Sequence, residues 1–372
     1  MNSSTSISRL KFLLLYVLGA MAPVLVMFAA VEGTLRLLPV VGGVHRADPQ
    51  SPNASARLVG HRDYTSSMGW DLRHVVHGRT NSMGFLSPLE YTPGHRAVAL
   101  LGDSFVEAQM LRFDESLAGQ LESRWRGQVH AYNFGMSGAA LPHYLGMARE
   151  MASLFTFDAA VVVITPGDYV EGFESQEGLY SWSDAAEEGL VKLVPAAHRS
   201  GIRQLARELA VVRYVRSNMK LTLNHILPSA RKACTPQLLS GQDKARLSRY
   251  VEALPEALRL PPGKIVLVFN APTRDVYERV DRNRDASPPC PDLDTNAIAY
   301  LKERAAARGM EIVEAGQVFE SHYRAHRRQL DFSPVDGHWN GLASGAIAAE
   351  IDATLAGRRR HALRGLTRVA RH

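Results

Sequence analysis

The first strong pattern along the chain is one long apolar run. Residues 12–31, FLLLYVLGAMAPVLVMFAAV, carry no formal charge. At about 1.5 Å rise per residue, a helix of about twenty apolar residues spans a hydrocarbon core. Arg9 and Lys11 precede the run and favour a cytoplasmic N-terminus, although Arg36 and Arg46 follow soon after and weaken the bias. Three readings compete: a retained anchor, a cleaved signal peptide and a buried core helix. The apolar region of a signal peptide is typically shorter, about 7–15 residues, and Ala29-Ala30 makes a poor cleavage site. The anchor and signal readings both place the rest of the chain outside the cytoplasm. With an anchor, the expected location is a bacterial inner membrane with a periplasmic domain.

Residues 32–95 are rich in Gly, Pro, Ser and His and show no period, which predicts an irregular membrane-proximal segment. A βα alternation begins at 96. Strands are predicted at 96–101, 128–134, 159–165, 264–270 and 310–313, and helices at 115–125, 141–154, 296–308 and 342–355. Strands that are apolar on both faces and separated by helices predict a parallel sheet covered on both sides. Such a sheet binds its ligand at the carboxyl ends of its strands. Residues 171–262 interrupt the alternation with a mainly helical insertion. Its long helical stretch at 202–225 carries Arg203, Arg207, Arg213, Arg216 and Lys220. The expected layout is a cytoplasmic segment 1–11, an anchor 12–31, a linker 32–95, one α/β domain 96–357 and a basic tail 358–372.

Composition narrows the partners. The chain has 372 residues, 46% of them hydrophobic and 22% charged, with a net charge of +6. That describes a packed globule. The basic residues are scattered apart from the tail, and no nucleic-acid motif accompanies them. A membrane surface or an acidic polysaccharide is therefore the expected partner class, and nucleic acid is not. The two cysteines, Cys234 and Cys290, lie in Pro-flanked polar sequence, and an extracytoplasmic location would oxidise them to a disulfide.

Candidate chemistry sits where the first sheet strand ends. Residues 98–108 read VALLGDSFVEA, and Ser104 falls at the turn from strand to helix. Such a serine is either a helix N-cap or an exposed nucleophile. Residues 333–341 read SPVDGHWNG and place Asp336 and His338 in a short loop before the last helix. A base with a carboxylate two residues away is what a serine nucleophile requires. Trp339 either shapes an acyl pocket or packs. Asn133 reads as a turn or core-edge residue, and His143 and His322 read as surface histidines with no metal-ligand spacing nearby.

In this order, these blocks resemble the SGNH/GDSL hydrolase family over most of residues 75–357. Gly102-Asp103-Ser104-Phe105 is similar to its nucleophile block, Gly135 in YNFGMSG to its second block, and Asp336 with His338 to its last. Asn81–Phe85 (NSMGF) resembles membrane-anchored bacterial members. The resemblance implies a three-layer α/β/α, flavodoxin-like sheet and a Ser104–His338–Asp336 triad, with no cofactor and no metal. It also implies an oxyanion hole formed by the amides of Ser104 and Gly135. The family's third block carries an Asn where this chain has Gly167, in Thr165-Pro166-Gly167-Asp168. The Gly167 amide is then the candidate third donor, and Asp168 either fixes the loop or borders the substrate pocket. The implied activity is an extracytoplasmic serine esterase acting on an ester-bearing envelope polysaccharide, a lipid or a small-molecule ester. Asp-Gly-His-Trp also resembles polysaccharide O-acetyltransferase domains, so acyl transfer to a glycan stands as an alternative. An inactive scaffold that binds glycan is a third.

Overall fold

The computed structural model describes residues 3–44, 46–47, 55–183, 189–195, 201–219, 221, 236–282 and 291–357. Cys234, Cys290 and the tail 358–372 lie outside the described residues. The chain divides into two compact units.

The first unit comprises Met1–Gly42, Thr65–Val75 and Arg199–Ser229. Helix α1 (Ser3–Leu37) covers the apolar run. Among the described residues it is the one helix long and apolar enough to cross a membrane, over Gly19–Leu37 at mean hydropathy 1.5. Toward its C-terminal end, the Glu32 carboxylate accepts N–H bonds from Ala210 (2.9 Å) and Val211 (3.0 Å). Those amides open a short helix and have no partner within it, so a side chain from α1 caps a segment nearly 180 residues away. Of the helical stretch predicted at 202–225, residues 220 and 222–225 lie outside the described residues, and the rest is broken. It consists of a helix at Gly201–Glu208, another at Ala210–Arg213 and a wide turn at Tyr214–Asn218, separated at Leu209 by an extended backbone.

Residues 63–79 differ from the irregular segment expected there. They form a two-stranded ribbon, β1 (Asp63–Met68) with β2 (Arg73–Arg79), whose tip belongs to the first unit. The ribbon strands, DYTSSM and RHVVHGR, alternate poorly because most of β2 faces solvent and buries little apolar surface.

The second unit holds the parallel sheet. Its strands are β3 (Ala97–Leu101), β4 (His130–Asn133), β5 (Ala159–Ile164), β8 (Ile265–Phe269) and β9 (Glu311–Glu314), with β6 (Tyr180–Trp182) and β7 (Val191–Leu193) forming a separate antiparallel pair. The sheet order is β4-β3-β5-β8-β9 with every pairing parallel, which is the doubly wound 2-1-3-4-5 arrangement. The strands are buried on both faces and the period of two sorts their side chains. Ala97, Ala99 and Leu101 join Ala160, Val162 and Ile164 beneath the helices at Leu141–Leu154, Gly241–Leu258 and Leu293–Arg308. Val98 and Leu100 join Val161, Val163, Val266 and Val268 on the opposite face. There they meet the helices at Leu117–Trp125, Ala315–His326 and Gly341–Leu355. Three layers result, and each predicted sheet strand lies within about two residues of its predicted bounds.

The helix at Gly241–Leu258 falls inside the predicted insertion yet packs on Leu141–Leu154 and Leu293–Arg308 as part of a sheet-covering layer. It carries the chain between the parallel neighbours β5 and β8, as a crossover connection must.

Candidate active site

In a 2-1-3-4-5 sheet the chain reverses its direction of travel between the first and third strands, and the carboxyl ends of those strands border a crevice. Leu101 ends β3 there and Ile164 ends β5. Gly102 follows, and only glycine fits the turn: a Cβ on it would lie 2.4 Å from Val106 Cγ2. Asp103 then caps the short helix α2 (Ser104–Glu107) by accepting the Phe105 N–H at 2.9 Å. The cap is thus Asp103, and the Ser104 hydroxyl is left for other work.

His338 supplies its partner. Its Nε2 lies 2.8 Å from Ser104 Oγ, although the two residues are 234 positions apart in sequence. On the other side of the ring, Nδ1 lies 2.5 Å from Asp336 Oδ1, which also accepts the His338 backbone N–H at 2.9 Å. Nδ1 therefore carries the proton and Nε2 accepts from the serine hydroxyl, which is the tautomer a general base needs. The side chain of Asp336 is 8% exposed and that of His338 25%. The carboxylate is shielded while the imidazole edge stays reachable.

The loop is held firmly. Asp336–Trp339 forms a short strand against Asp331–Phe332. Buried Asp331 accepts from the Thr273 hydroxyl (2.5 Å), Tyr277 OH (3.2 Å) and Ser333 Oγ (2.7 Å). Asn340 caps the last helix by accepting from Leu342 and Ala343 and donates to the Gln329 and Asp331 carbonyls. The Phe105 ring packs 4.7 Å from the imidazole centroid and 5.3 Å from Trp339.

Of the other expected residues, Trp339, Asp168 and Asn133 take the structural roles open to them, and Gly135, Gly167 and His143 are placed differently. Trp339 is 2% exposed, with its Nε1 donating to Asn270 at 3.0 Å and its ring edge-on to Phe319, so it packs beneath the site and lines no open pocket. Asp168 is fully buried and is no pocket residue either. It accepts from the Thr165 N–H (2.9 Å) and Tyr144 OH (3.0 Å). The Gly135 amide donates to Asn133 Oδ1 at 2.9 Å, and the Gly167 amide donates to Asp294 Oδ2 at 2.5 Å. Both N–H groups are occupied within the fold. Asn133 is a tie between strand and elbow, donating to the Val106 carbonyl at 2.9 Å. His143 is no surface residue: it is 1% exposed, its Nδ1 accepts the Tyr180 N–H at 3.3 Å, and burial pushes its imidazole down to about 3. His322 is half-buried, 4.7 Å ring to ring from His326.

Sequence reasoning also missed a polar cluster behind the nucleophile. Thr165 Oγ1 lies 3.0 Å from Asp103 Oδ2 and 3.0 Å from Asp168 Oδ1. A hydroxyl has one proton to give and cannot donate to two ionised carboxylates at once. One of the pair therefore carries a proton. Burial raises both carboxyls, but the Phe105 N–H, Thr165 and the nearby His338 hold Asp103 down. The charge of Asp103 pushes Asp168 further up, well above the usual carboxylate range, so Asp168 is the one that favours the proton. Asp168 then donates to Thr165 and Thr165 to Asp103. Glu107, one turn beyond Ser104, is also buried and its carboxyl is likewise raised by desolvation; it accepts from the Ser137 hydroxyl. Among the described residues no group of three or more His, Cys, Asp or Glu side chains is placed to hold a metal ion.

Comparison with known proteins gives a structural likeness only. No family model matches the chain and no curated protein matches it. Among solved structures it is similar to a member of the lipolytic G-D-S-L family from Veillonella parvula, at 10% identity over 68% of this chain and 94% of that one, with a TM-score of 0.34. A carbohydrate acetylesterase from Sinorhizobium meliloti is similar at 12% identity over 70% and 99%, TM-score 0.35. An alpha/beta hydrolase enzyme from the metagenome of Lake Arreo, Spain, is similar at 13% identity over 72% and 97%, TM-score 0.38. At this distance, the functional reading rests on the site's own geometry.

Proposed function

We propose that the protein is a membrane-anchored, extracytoplasmic serine esterase whose substrate is an ester of the cell envelope. The observation that carries this reading is the hydrogen-bonded chain Ser104 Oγ–His338 Nε2 with His338 Nδ1–Asp336 Oδ1, at 2.8 and 2.5 Å. Ser104 Oγ attacks the ester carbonyl carbon while its proton passes to His338 Nε2. Asp336 holds the imidazolium that forms. The tetrahedral intermediate collapses, the carbon–oxygen bond to the alcohol breaks, and the alcohol leaves with the proton from Nε2. Water then attacks the acyl carbon and gives one proton to Nε2. The bond from that carbon to Ser104 Oγ breaks as Nε2 returns the proton to Oγ, which releases the acid and free Ser104.

The oxyanion needs N–H donors. The Ser104 amide, at the start of α2, is one. With Gly135 engaged by Asn133, the second donor in this reading is Gly138, at φ +79° in the same loop, whose N–H meets no acceptor among the described residues. That loop lies against the elbow through Met136 N–H to Gly102 O (3.1 Å) and Ser137 to Glu107.

The test is labelling of the folded full-length protein with a fluorophosphonate probe, followed by turnover of a panel of simple esters with and without an acetylated polysaccharide. Stoichiometric labelling that disappears in Ser104→Ala, with turnover into water, is the expected result. Acyl appearing on glycan in preference to water would convert the reading to a transferase. Absence of labelling in protein shown to be folded would overturn it.

A further inference from the structure

The first unit exposes apolar and basic side chains that the esterase reading does not use. Leu37, at the end of α1, is 89% exposed; Trp70, at the tip of the β1–β2 ribbon, is 72% exposed; and Leu205 is 69% exposed. Val215 and Met219 follow on the wide turn after Ala210–Arg213, both also exposed. All five belong to the same compact unit as α1. Side-chain hydrogen bonds tie its three segments together. Glu32 caps the start of Ala210–Arg213, and Arg213 donates to the Val41 carbonyl at 3.2 Å. Asn218 bridges Val41 N–H and the Ser67 carbonyl, and Tyr214 OH donates to the Trp70 carbonyl at 2.5 Å.

Large apolar side chains exposed together on a water-facing surface are unfavourable and mark an interaction site. Leu37 itself ends a helix long and apolar enough to enter a bilayer, and Glu32 and Val41, near that helix's C-terminal end, are bonded to the 210–218 segment. Exposed Arg207 and Arg216 accompany it, and residues 201–216 carry four arginines (203, 207, 213 and 216) against Glu208 alone. Tryptophan favours the headgroup level, and basic amphipathic helices lie in the interface of anionic bilayers.

We infer that the first unit is a membrane-interface collar, in which Trp70 and the 201–219 segment lie on the anionic lipid headgroups at the C-terminal end of α1. The inference rests on the anchor part of the proposed function and is independent of the chemistry at Ser104. The collar makes the Trp70 tip and the basic segment a second point of contact with the same bilayer.

The experiment reconstitutes the full-length protein into vesicles of phosphatidylethanolamine and phosphatidylglycerol whose acyl chains are brominated near the headgroup. Intrinsic tryptophan emission is then read. Trp182 and Trp339 are buried and Trp125 is half-buried in the other unit, so the quenchable component belongs to Trp70. The expected result is a loss of emission that Trp70→Phe no longer shows and that shrinks in Arg207→Glu/Arg216→Glu and in vesicles lacking phosphatidylglycerol. Acrylamide in the aqueous phase should quench Trp70 poorly. Vesicle-bound protein whose Trp70 is quenched by acrylamide and untouched by brominated lipid would overturn the collar while leaving the anchor standing. Protein that fails to float with vesicles would overturn both, and the fluorophosphonate labelling above would be unaffected by either outcome.

Discussion

Asp294 accepts the N–H of Gly167 at 2.5 Å and so occupies the amide that stands where a third oxyanion donor was expected. The same carboxylate takes Tyr169 N–H at 3.1 Å and Val170 N–H at 3.4 Å, closing the loop after β5 over the start of Leu293–Arg308. Burial raises its carboxyl, and these three amides act in the opposite direction. Asp294→Ala leaves the amides without their acceptor. The expected stability loss is about 1–3 kcal/mol, measured by urea unfolding. The fluorophosphonate labelling rate should change less than about tenfold, since loss of a true oxyanion donor lowers rates by about 10²–10³. A rise of that larger size in folded protein would show that the freed Gly167 amide serves as a donor.

Asp336 orients His338 through two bonds to a single oxygen, one from the ring and one from the backbone. Asp336→Asn retains the shape but its amide favours the wrong imidazole tautomer. Ester turnover should fall by about 10⁴, with thermal stability little changed. Because the damaged step is proton transfer, the loss should appear in kcat more than in KM.

The protonated Asp168 makes a sharper prediction. An amide at this position can donate to Thr165 Oγ1 and still accept from Thr165 N–H and Tyr144 OH. Asp168→Asn should therefore keep the fold, with a stability change within about 2 kcal/mol, whereas Asp168→Ala loses every partner. The pH dependence has a definite sign. In the unfolded chain the group releases its proton near the ordinary Asp value of about 3.9, while in the fold it keeps it to much higher pH. Above that value the unfolded state holds fewer protons, so stability falls as pH rises, by up to about 1.4 kcal/mol per unit. Urea midpoints between pH 5 and 8 should decline less in Asp168→Asn than in the parent. Parallel slopes would mean that Asp168 is ionised.

Most of the sheet was legible because VALL, AAVVVI and IVLVF are continuous apolar runs, and such runs fit only a strand covered on both faces. The helices at Thr273–Arg282 and Ala315–His326 were not, since each buries a narrow stripe within a largely polar sequence, strongly charged in the first case. Ser104, Asp336 and His338 were readable from their place at strand end and loop, and the fold brings them together. The amide donors were not readable. Whether Gly135 or Gly167 offers its N–H depends on Asn133 and Asp294, and no residue type encodes where a backbone hydrogen points. Trp339 takes the packing role of its two readings, with Nε1 bonded to Asn270, whereas His143 was misread: a histidine reads as exposed, yet here its ring is buried with Nδ1 bonded to the Tyr180 N–H.

His143 gives the opposite pH signature to Asp168. Its Nδ1 accepts a backbone N–H, so the proton resides on Nε2, which is buried with no partner among the described residues. Burial, aided by the charge of Arg46, holds the ring neutral down to about pH 3. The unfolded chain takes up a proton near the ordinary histidine value of about 6.5. Between those two values the unfolded state binds more protons than the fold, so stability falls as pH drops, by up to about 1.4 kcal/mol per unit. His143→Gln keeps an acceptor for the Tyr180 N–H and removes the titration. Its expected behaviour is lower stability at pH 7 from imperfect packing, with a flatter decline toward pH 4, so the two proteins converge in acid. Unfolding curves at pH 7, 6, 5 and 4 measure this directly. Curves that stay parallel down to pH 4 would show that the fold opens enough at Tyr180 to protonate the ring without global unfolding.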